Sequence, residues 1–357
     1  MTSTVRFLGR LALIPAFGYA LVTALDFTGI VGAQGDPAAN GCEHAADPSQ
    51  ACNVPPLGSD LPPLNGPAAL ARVGDRLPAA ALAHGLSPDE FAQTVLTDPE
   101  AWIDGLDQMF YVEQAPASGA IEESITAGGA DFSGSLLQYA STSDPFALST
   151  RPVAQRKIFL DFDGNVTTGT SWNNSSRPSI DSAPWDMDGS PTTWSTTEQQ
   201  RIREIWAAVS EDFAAFDVDV TTIDPGVEGL RKTSSSDAAY GIRVVISPTN
   251  WYDGGAGGVA YVGSFSWNTD APAFVFSAQL SSNSFKSIAE AASHETGHTL
   301  GLRHDGFNTD AYYMGHGTWA PIMGVGYYRA TTQWSKGEYA GATNTEDDLA
   351  VMQGFIA

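Results

Sequence analysis

His294-Glu295-Thr296-Gly297-His298-Thr299-Leu300-Gly301-Leu302-Arg303-His304-Asp305 is the stretch from which the rest of the chain is read. His294 and His298 are i and i+4, so on a helix they share one face about one turn apart. Two neutral imidazoles at that spacing can hold one zinc ion. Glu295 lies about 100° further round the helix. It is near the metal without pointing at it, as suits a base for an activated water rather than a ligand. Gly301 stands where a helix needs a left-handed residue in order to stop. The chain can then turn back and present His304 as a third imidazole. Three protein ligands leave a fourth position open, the pattern of a catalytic zinc site rather than a closed structural one. Ser287 and Glu290 have the spacing of a capping box and are expected to start the helix.

With Met323 in Ala320-Pro321-Ile322-Met323-Gly324, these residues resemble the metzincin zinc endopeptidases, whose Met-turn forms an apolar floor under the three histidines. Asp305 directly after His304 resembles the adamalysin or reprolysin branch, and the run from Ile158 to Met352 is similar to secreted bacterial reprolysin-like peptidases. The resemblance implies an α/β fold: a metzincin-like catalytic domain with a mixed twisted sheet, an active-site helix and a small C-terminal subdomain, preceded by a small propeptide-like unit. It implies one zinc ion on His294, His298 and His304, with Glu295 as general base for peptide hydrolysis. Many metzincins carry a tyrosine two residues after the Met-turn methionine. Here that position is Val325, and the tyrosines follow at Tyr327 and Tyr328. Either could swing toward the metal or only line the cleft. His316 could assist from the rim or be structural.

The 357 residues are 43% hydrophobic, enough for two cored domains. Net charge is −24, and residues 157–357 alone hold 11 basic and 24 acidic side chains. That balance argues against nucleic acid and anionic membranes as partners. Residues 1–33 read as a secretory signal: Arg6 and Arg10, an apolar stretch from Leu11 to Leu25, then Val31-Gly32-Ala33. The mature protein is expected to be secreted and free of the membrane. Cys42 and Cys52 are the only cysteines. In an exported chain they are expected to form a local disulfide.

The segment 34–113 reads as a propeptide-like region, irregular to about residue 66 and then a small folded unit. Within it Ser87-Pro88-Asp89-Glu90 caps a helix, and Met109-Phe110-Tyr111-Val112 forms a short strand. His84 is read as structural or exposed. A binding module is the alternative for this unit. Residues 114–156 read as an Ala-, Ser- and Gly-rich linker, with Arg151, Arg156 and Lys157 as candidate processing points. The peptidase domain is expected over 157–357. Its expected elements are strands at Ile158–Leu160, Val218–Thr221, Ile242–Ile246 and Ala273–Phe276, and a helix with one apolar stripe from Ser195 to Phe216. A last helix opens at Thr345-Glu346-Asp347-Asp348. Gly258 to Tyr261 is either a loop leading into a strand or the sheet edge that binds an extended peptide. Asp161–Gly164 and Asp186–Gly189 resemble fragments of calcium loops, which makes Ca2+ a second candidate ion, although neither has the full twelve-residue ligand pattern and aspartate and glycine are also ordinary turn formers.

Protein or peptide is the expected substrate. A binding or adhesion protein with a relic metal site and a zinc hydrolase of a non-peptide bond remain alternatives. The sequence leaves oligomeric state open.

Overall fold

Local chemistry sets the two long helices. In the computed structural model, which describes residues 57–116 and 143–357 apart from 253 and 281–283, Ser195 and Glu198 form a reciprocal capping box at the start of the helix Thr196–Asp212. Ile202, Ile205, Trp206 and Val209 of this helix are fully buried. Phe213 and Phe216, expected as its last turn, lie beyond its end but remain in the core. The helix carrying His294 and His298 spans Phe285–Thr299, and Ser284 caps it by accepting the Ser287 N–H. The expected capping box at Ser287 and Glu290 is therefore corrected. Ser287 lies inside the helix, while Glu290 bonds Lys286 at 2.8 Å and Thr332 at 3.0 Å. The signal stretch, Cys42, Cys52 and the linker's middle lie outside the described residues.

In chain order the N-terminal elements are β1 (Leu64–Asn65), α1 (Gly66–Val73), α2 (Leu77–Ala83), α3 (Pro88–Thr97), β2 (Ala101–Ile103) and β3 (Met109–Gln114). There follow β4 (Arg156–Asp161), β5 (Asn165–Thr168), β6 (Ser179–Ser182), α4 (Thr196–Asp212), β7 (Val218–Thr221), β8 (Tyr240–Ser247), β9 (Ala256–Tyr261) and β10 (Ala273–Phe276). Last come α5 (Phe285–Thr299), β11 (Trp319–Pro321), β12 (Thr331–Gln333) and α6 (Asp348–Ile356). Among the described residues no helix is long and apolar enough to cross a membrane.

One mixed sheet of eight strands runs β1-β2-β3-β9-β10-β8-β4-β7. β7, β4, β8 and β10 are parallel, and β9 turns antiparallel to β10. β3 then adds antiparallel to β9, so the N-terminal elements extend the same sheet. They also bring a small core of their own, including Ala69, Val73, Phe91, Val95, Ile103 and Met109. The stretch read as linker ends before residue 156, because Leu148 is fully buried in the main core and Ser149 bridges Thr221. Two of the candidate processing points, Arg156 and Lys157, lie in β4 between β7 and β8. A cut there would break the main sheet.

The end of α5 determines whether the third histidine can return. Gly301 has φ +91°. Its N–H donates to the His298 carbonyl, and the Leu302 N–H reaches the Gly297 carbonyl. This is a Schellman pair. A Cβ at Gly301 would come within 2.7 Å of the Phe355 ring. Gly301→Ala is therefore expected to lower stability by about 1–3 kcal/mol, with urea unfolding as the check; an unchanged midpoint would contradict this account of the turn.

Candidate metal centre

α5 carries His294 and His298 on one face, with ring centroids 4.7 Å apart. After the Gly301 turn the His304 ring returns to 5.3 Å from His294 and 5.0 Å from His298. Each ring is held from behind by its Nδ1: His294 by the Ile322 carbonyl at 2.7 Å, His298 by the Leu302 carbonyl at 2.9 Å, and His304 by the Asp98 carboxylate at 2.8 Å. Such bonds fix the tautomer and aim Nε2 outward. Met323 is fully buried. A Cβ added at Gly297 would lie 2.5 Å from its sulfur, so the turn carrying Met323 packs directly on α5 between the two helical histidines. Asp305 ties the far side of this floor by donating its N–H to the Met323 carbonyl at 2.8 Å.

The residue at the focus is Glu113 of β3. Its Oε1 lies 3.2 Å from His294 Nε2, 3.2 Å from His298 Nε2 and 2.6 Å from His304 Nε2. A carbonyl can only accept, so His294 and His298 donate from Nδ1, and in the neutral form each presents a lone pair at Nε2. A lone pair facing a carboxylate oxygen is repelled unless a proton or a metal cation stands between them. A tetrahedral zinc site with bonds of ~2.1 Å has ligand-to-ligand edges of roughly 3.4 Å. Two of the three edges here lie close to that value and the third is shorter. The four donors form a buried group able to hold a metal ion. They are the nitrogen and oxygen donors that suit zinc.

The electrostatics follow from burial and mutual charge. Burial pulls the His298 imidazole down to about 4, and the neighbouring His294 and His304 act in the same direction. Burial alone would raise Glu113, but His304 and His294 outweigh it and hold the carboxylate well below its usual range. Burial, then Glu113, pushes Glu295 well above the ordinary carboxylate value. A bound dication reverses the sign of the Glu295 effect.

Glu295 lies at the focus's edge, fully buried, with neither carboxylate oxygen hydrogen-bonded. Gly258 of β9 passes directly over it: a Cβ there would sit 2.0 Å from Oε1. We expect Gly258→Ala to displace this carboxylate and lower kcat by about 10²-fold, as small misplacements of reacting groups do. Steady-state rates with metal content as control test this, and an unaltered kcat would show that Gly258 does not set the position of Glu295.

Residues 221–305 match the profile of the metallo-peptidase family M12B, reprolysin-like. The match runs from the last residue of β7 to Asp305, directly after the third histidine. It supports a zinc metallopeptidase activity, and a peptidase of this kind takes protein or peptide substrates. No curated protein and no solved structure matches the chain.

The structure brings His294, Glu295, His298 and His304 together. It does not bring His316, which is exposed and bonded through Nδ1 to the Tyr313 hydroxyl at 2.8 Å. Tyr327 is buried, and the Glu113 and Glu295 carboxylates add to burial in raising its phenol, whereas Tyr328 is half-buried against the main core. Of the calcium-loop fragments, Asp161 is ion-paired to Arg243 at 2.7 Å, so that expectation is corrected. Asp186 and Asp188 meet Glu198, whose oxygens already accept the Met187 and Ser195 N–H groups. Sequence reading missed Glu113, Asp98 and Tyr312. The Tyr312 ring stands 4.7 Å from His304, and Glu113 raises its phenol further beyond the effect of burial. No motif surrounds any of the three.

Proposed function

We propose that this chain is a secreted zinc endopeptidase. His294, His298 and His304 would hold the zinc and Glu295 would be the general base. Export rests on the signal-like residues 1–33. The observation that carries the reading is Glu295. A buried carboxylate without a hydrogen-bond partner is costly, typically several kcal/mol, and beside three convergent imidazoles it has a use as a proton carrier.

Zinc bound there supplies Lewis-acid polarisation of a water and of the scissile carbonyl. Glu295 takes the water's proton and returns it to the leaving amine. With β3 displaced from it, β9 would offer its backbone to an extended peptide as one more strand, and Gly258 would keep that strand close to Glu295. The phenols of Tyr312 and Tyr327 are the candidates to donate to the developing oxyanion. Loss of the hydroxyl that does so should cost about 10²-fold in kcat. Tyr312→Phe, Tyr327→Phe and Tyr328→Phe, assayed singly with metal content measured, assign it; three wild-type rates would remove tyrosine from the mechanism.

The test of the reading is digestion of a proteome-derived peptide library, with the full chain before and after limited proteolysis. The expected result is cleavage that a chelator stops, zinc restores and Glu295→Gln lacks. Hydrolysis of esters or simple amides with intact peptides would replace it with a non-peptide hydrolase. One observation favours a second reading. Glu113 makes a fourth protein donor, the number typical of structural zinc sites. A permanent site of that kind would give no cleavage in any form of the chain.

A further inference from the structure

We propose that residues 57–116 are a built-in inhibitor of this centre: β3 occupies the peptide-binding edge of β9, and Glu113 occupies the fourth metal position. This rests on the zinc-peptidase reading and adds its regulation.

The register is the first ground. β3 pairs antiparallel with β9, placing Glu113 opposite Gly258 and Tyr111 opposite Ala260. Side chains alternate across a strand, so Tyr111 and Glu113 share one face. That face is the one over α5. Tyr111 stacks on His298 at 4.2 Å and 15°, and lies 4.3 Å from His304. Phe110 and Val112, on the other face, pack with Trp172, Val259 and Tyr261. β3 therefore uses both features an extended substrate would need: the β9 backbone and the space above the histidines. The ladder becomes irregular at Glu113/Gln114, beside the carboxylate that reaches the imidazoles.

The second ground is that the whole unit converges on the site. Asp98, one residue beyond α3, holds His304 Nδ1. Glu100 lies beside it, half-buried in a group with Asp98 and His304. Polar contacts supplement β3 at the seam: Tyr261 donates to Asp104 at 3.0 Å, and the Ser175 N–H donates to Asp60 at 2.7 Å.

The third ground is separability. The small core of α1, α2, α3, β2 and β3, which takes in Val262 just after β9, is distinct from the core beneath α4 and α5, and only Phe110 and Val112 of β3 enter the third core on the other face of the sheet. If β3 leaves as part of that unit, β7-β4-β8-β10-β9 remains a continuous sheet with β9 at its edge. Departure of Glu113 leaves three imidazoles and an open position, the catalytic arrangement. A chain break between residues 117 and 142 would free the unit without cutting a described strand.

The experiment uses the full chain loaded with Co2+ in place of zinc. Visible absorption is followed while acetohydroxamate, a small bidentate metal-binding anion, is titrated in. Four forms are compared: wild type, Glu113→Gln, Glu113→Ala, and a chain cut once at a protease site introduced between residues 117 and 142. The proposal expects acetohydroxamate to perturb the spectrum of Glu113→Ala and the cut chain at least ~100-fold more tightly than wild type, since a site open less than about 1% of the time weakens apparent affinity by that factor. Glu113→Gln, a poorer ligand of equal size, should fall between. Peptide hydrolysis should appear only in the cut chain, because in the point variants β3 still covers β9. Equal acetohydroxamate affinity in all four forms would overturn the proposal, as would a cut chain that keeps the wild-type spectrum and stays closed. Acetohydroxamate access without peptide hydrolysis in the cut chain would leave Glu113 as the plug and remove the peptidase reading.

Discussion

Glu295→Gln is expected to keep its metal and lose roughly 10²–10⁴-fold in kcat, the usual contribution of a positioned general base. The amide has the same shape and cannot take a proton at this pH. Glu295 does not converge on the focus with the three imidazoles and Glu113, which are the donors gathered there. Both its oxygens are buried without partners, so the exchange breaks no hydrogen bond and removes a charge that burial disfavours. Stability should therefore hold or rise while chemistry fails. The assay is run on a form that hydrolyses peptide in the parent sequence, with zinc counted on the same sample. Activity within a few-fold of the parent, or loss of zinc together with activity, would remove Glu295 from the role of base.

That prediction comes from features legible in the sequence, and the reason is locality. His294, Glu295 and His298 are related by helical periodicity alone, and Gly301 meets a backbone need at one residue, φ +91°. The capping box at Ser195 and Glu198 is equally local. The similar pattern at Ser287 and Glu290 misled because Glu290 finds Lys286 and Thr332 instead, the latter 42 residues away. Glu113 lies at the opposite extreme. Its contact with His304 spans 191 residues and depends on β3 pairing with β9. In the sequence it is one acid after a short apolar run. Asp98 likewise reaches His304 across 206 residues. Local spacing thus identifies the histidines and the carboxylate beside them, whereas the residues that close the cluster come from non-local strand pairing. Asp161 makes the same point: its Asp-x-Asp-Gly pattern suits a calcium loop, but β4 sets it beside Arg243 of β8.

The second large effect concerns the imidazoles. His298→Ala and His304→Ala should each weaken zinc by more than 100-fold, since loss of a group that merely orients a ligand costs about 10–100-fold. The two should differ in their dependence on the N-terminal unit. His298 is oriented by the Leu302 carbonyl, inside the turn that ends α5, so its loss acts equally in the intact and cut chains. It also removes the ring on which Tyr111 stacks, so β3 should be held less firmly. His304 is oriented by Asp98, which belongs to the unit that would leave. Asp98→Asn should accordingly weaken zinc by about 10-fold in the intact chain. Competition with a chromophoric chelator measures the two histidine variants in both forms and Asp98→Asn in the intact chain. Wild-type affinity in His298→Ala or His304→Ala would show that the imidazole is not a ligand. Parent-like zinc affinity in the intact Asp98→Asn chain would show that Asp98 does not support His304 as a ligand.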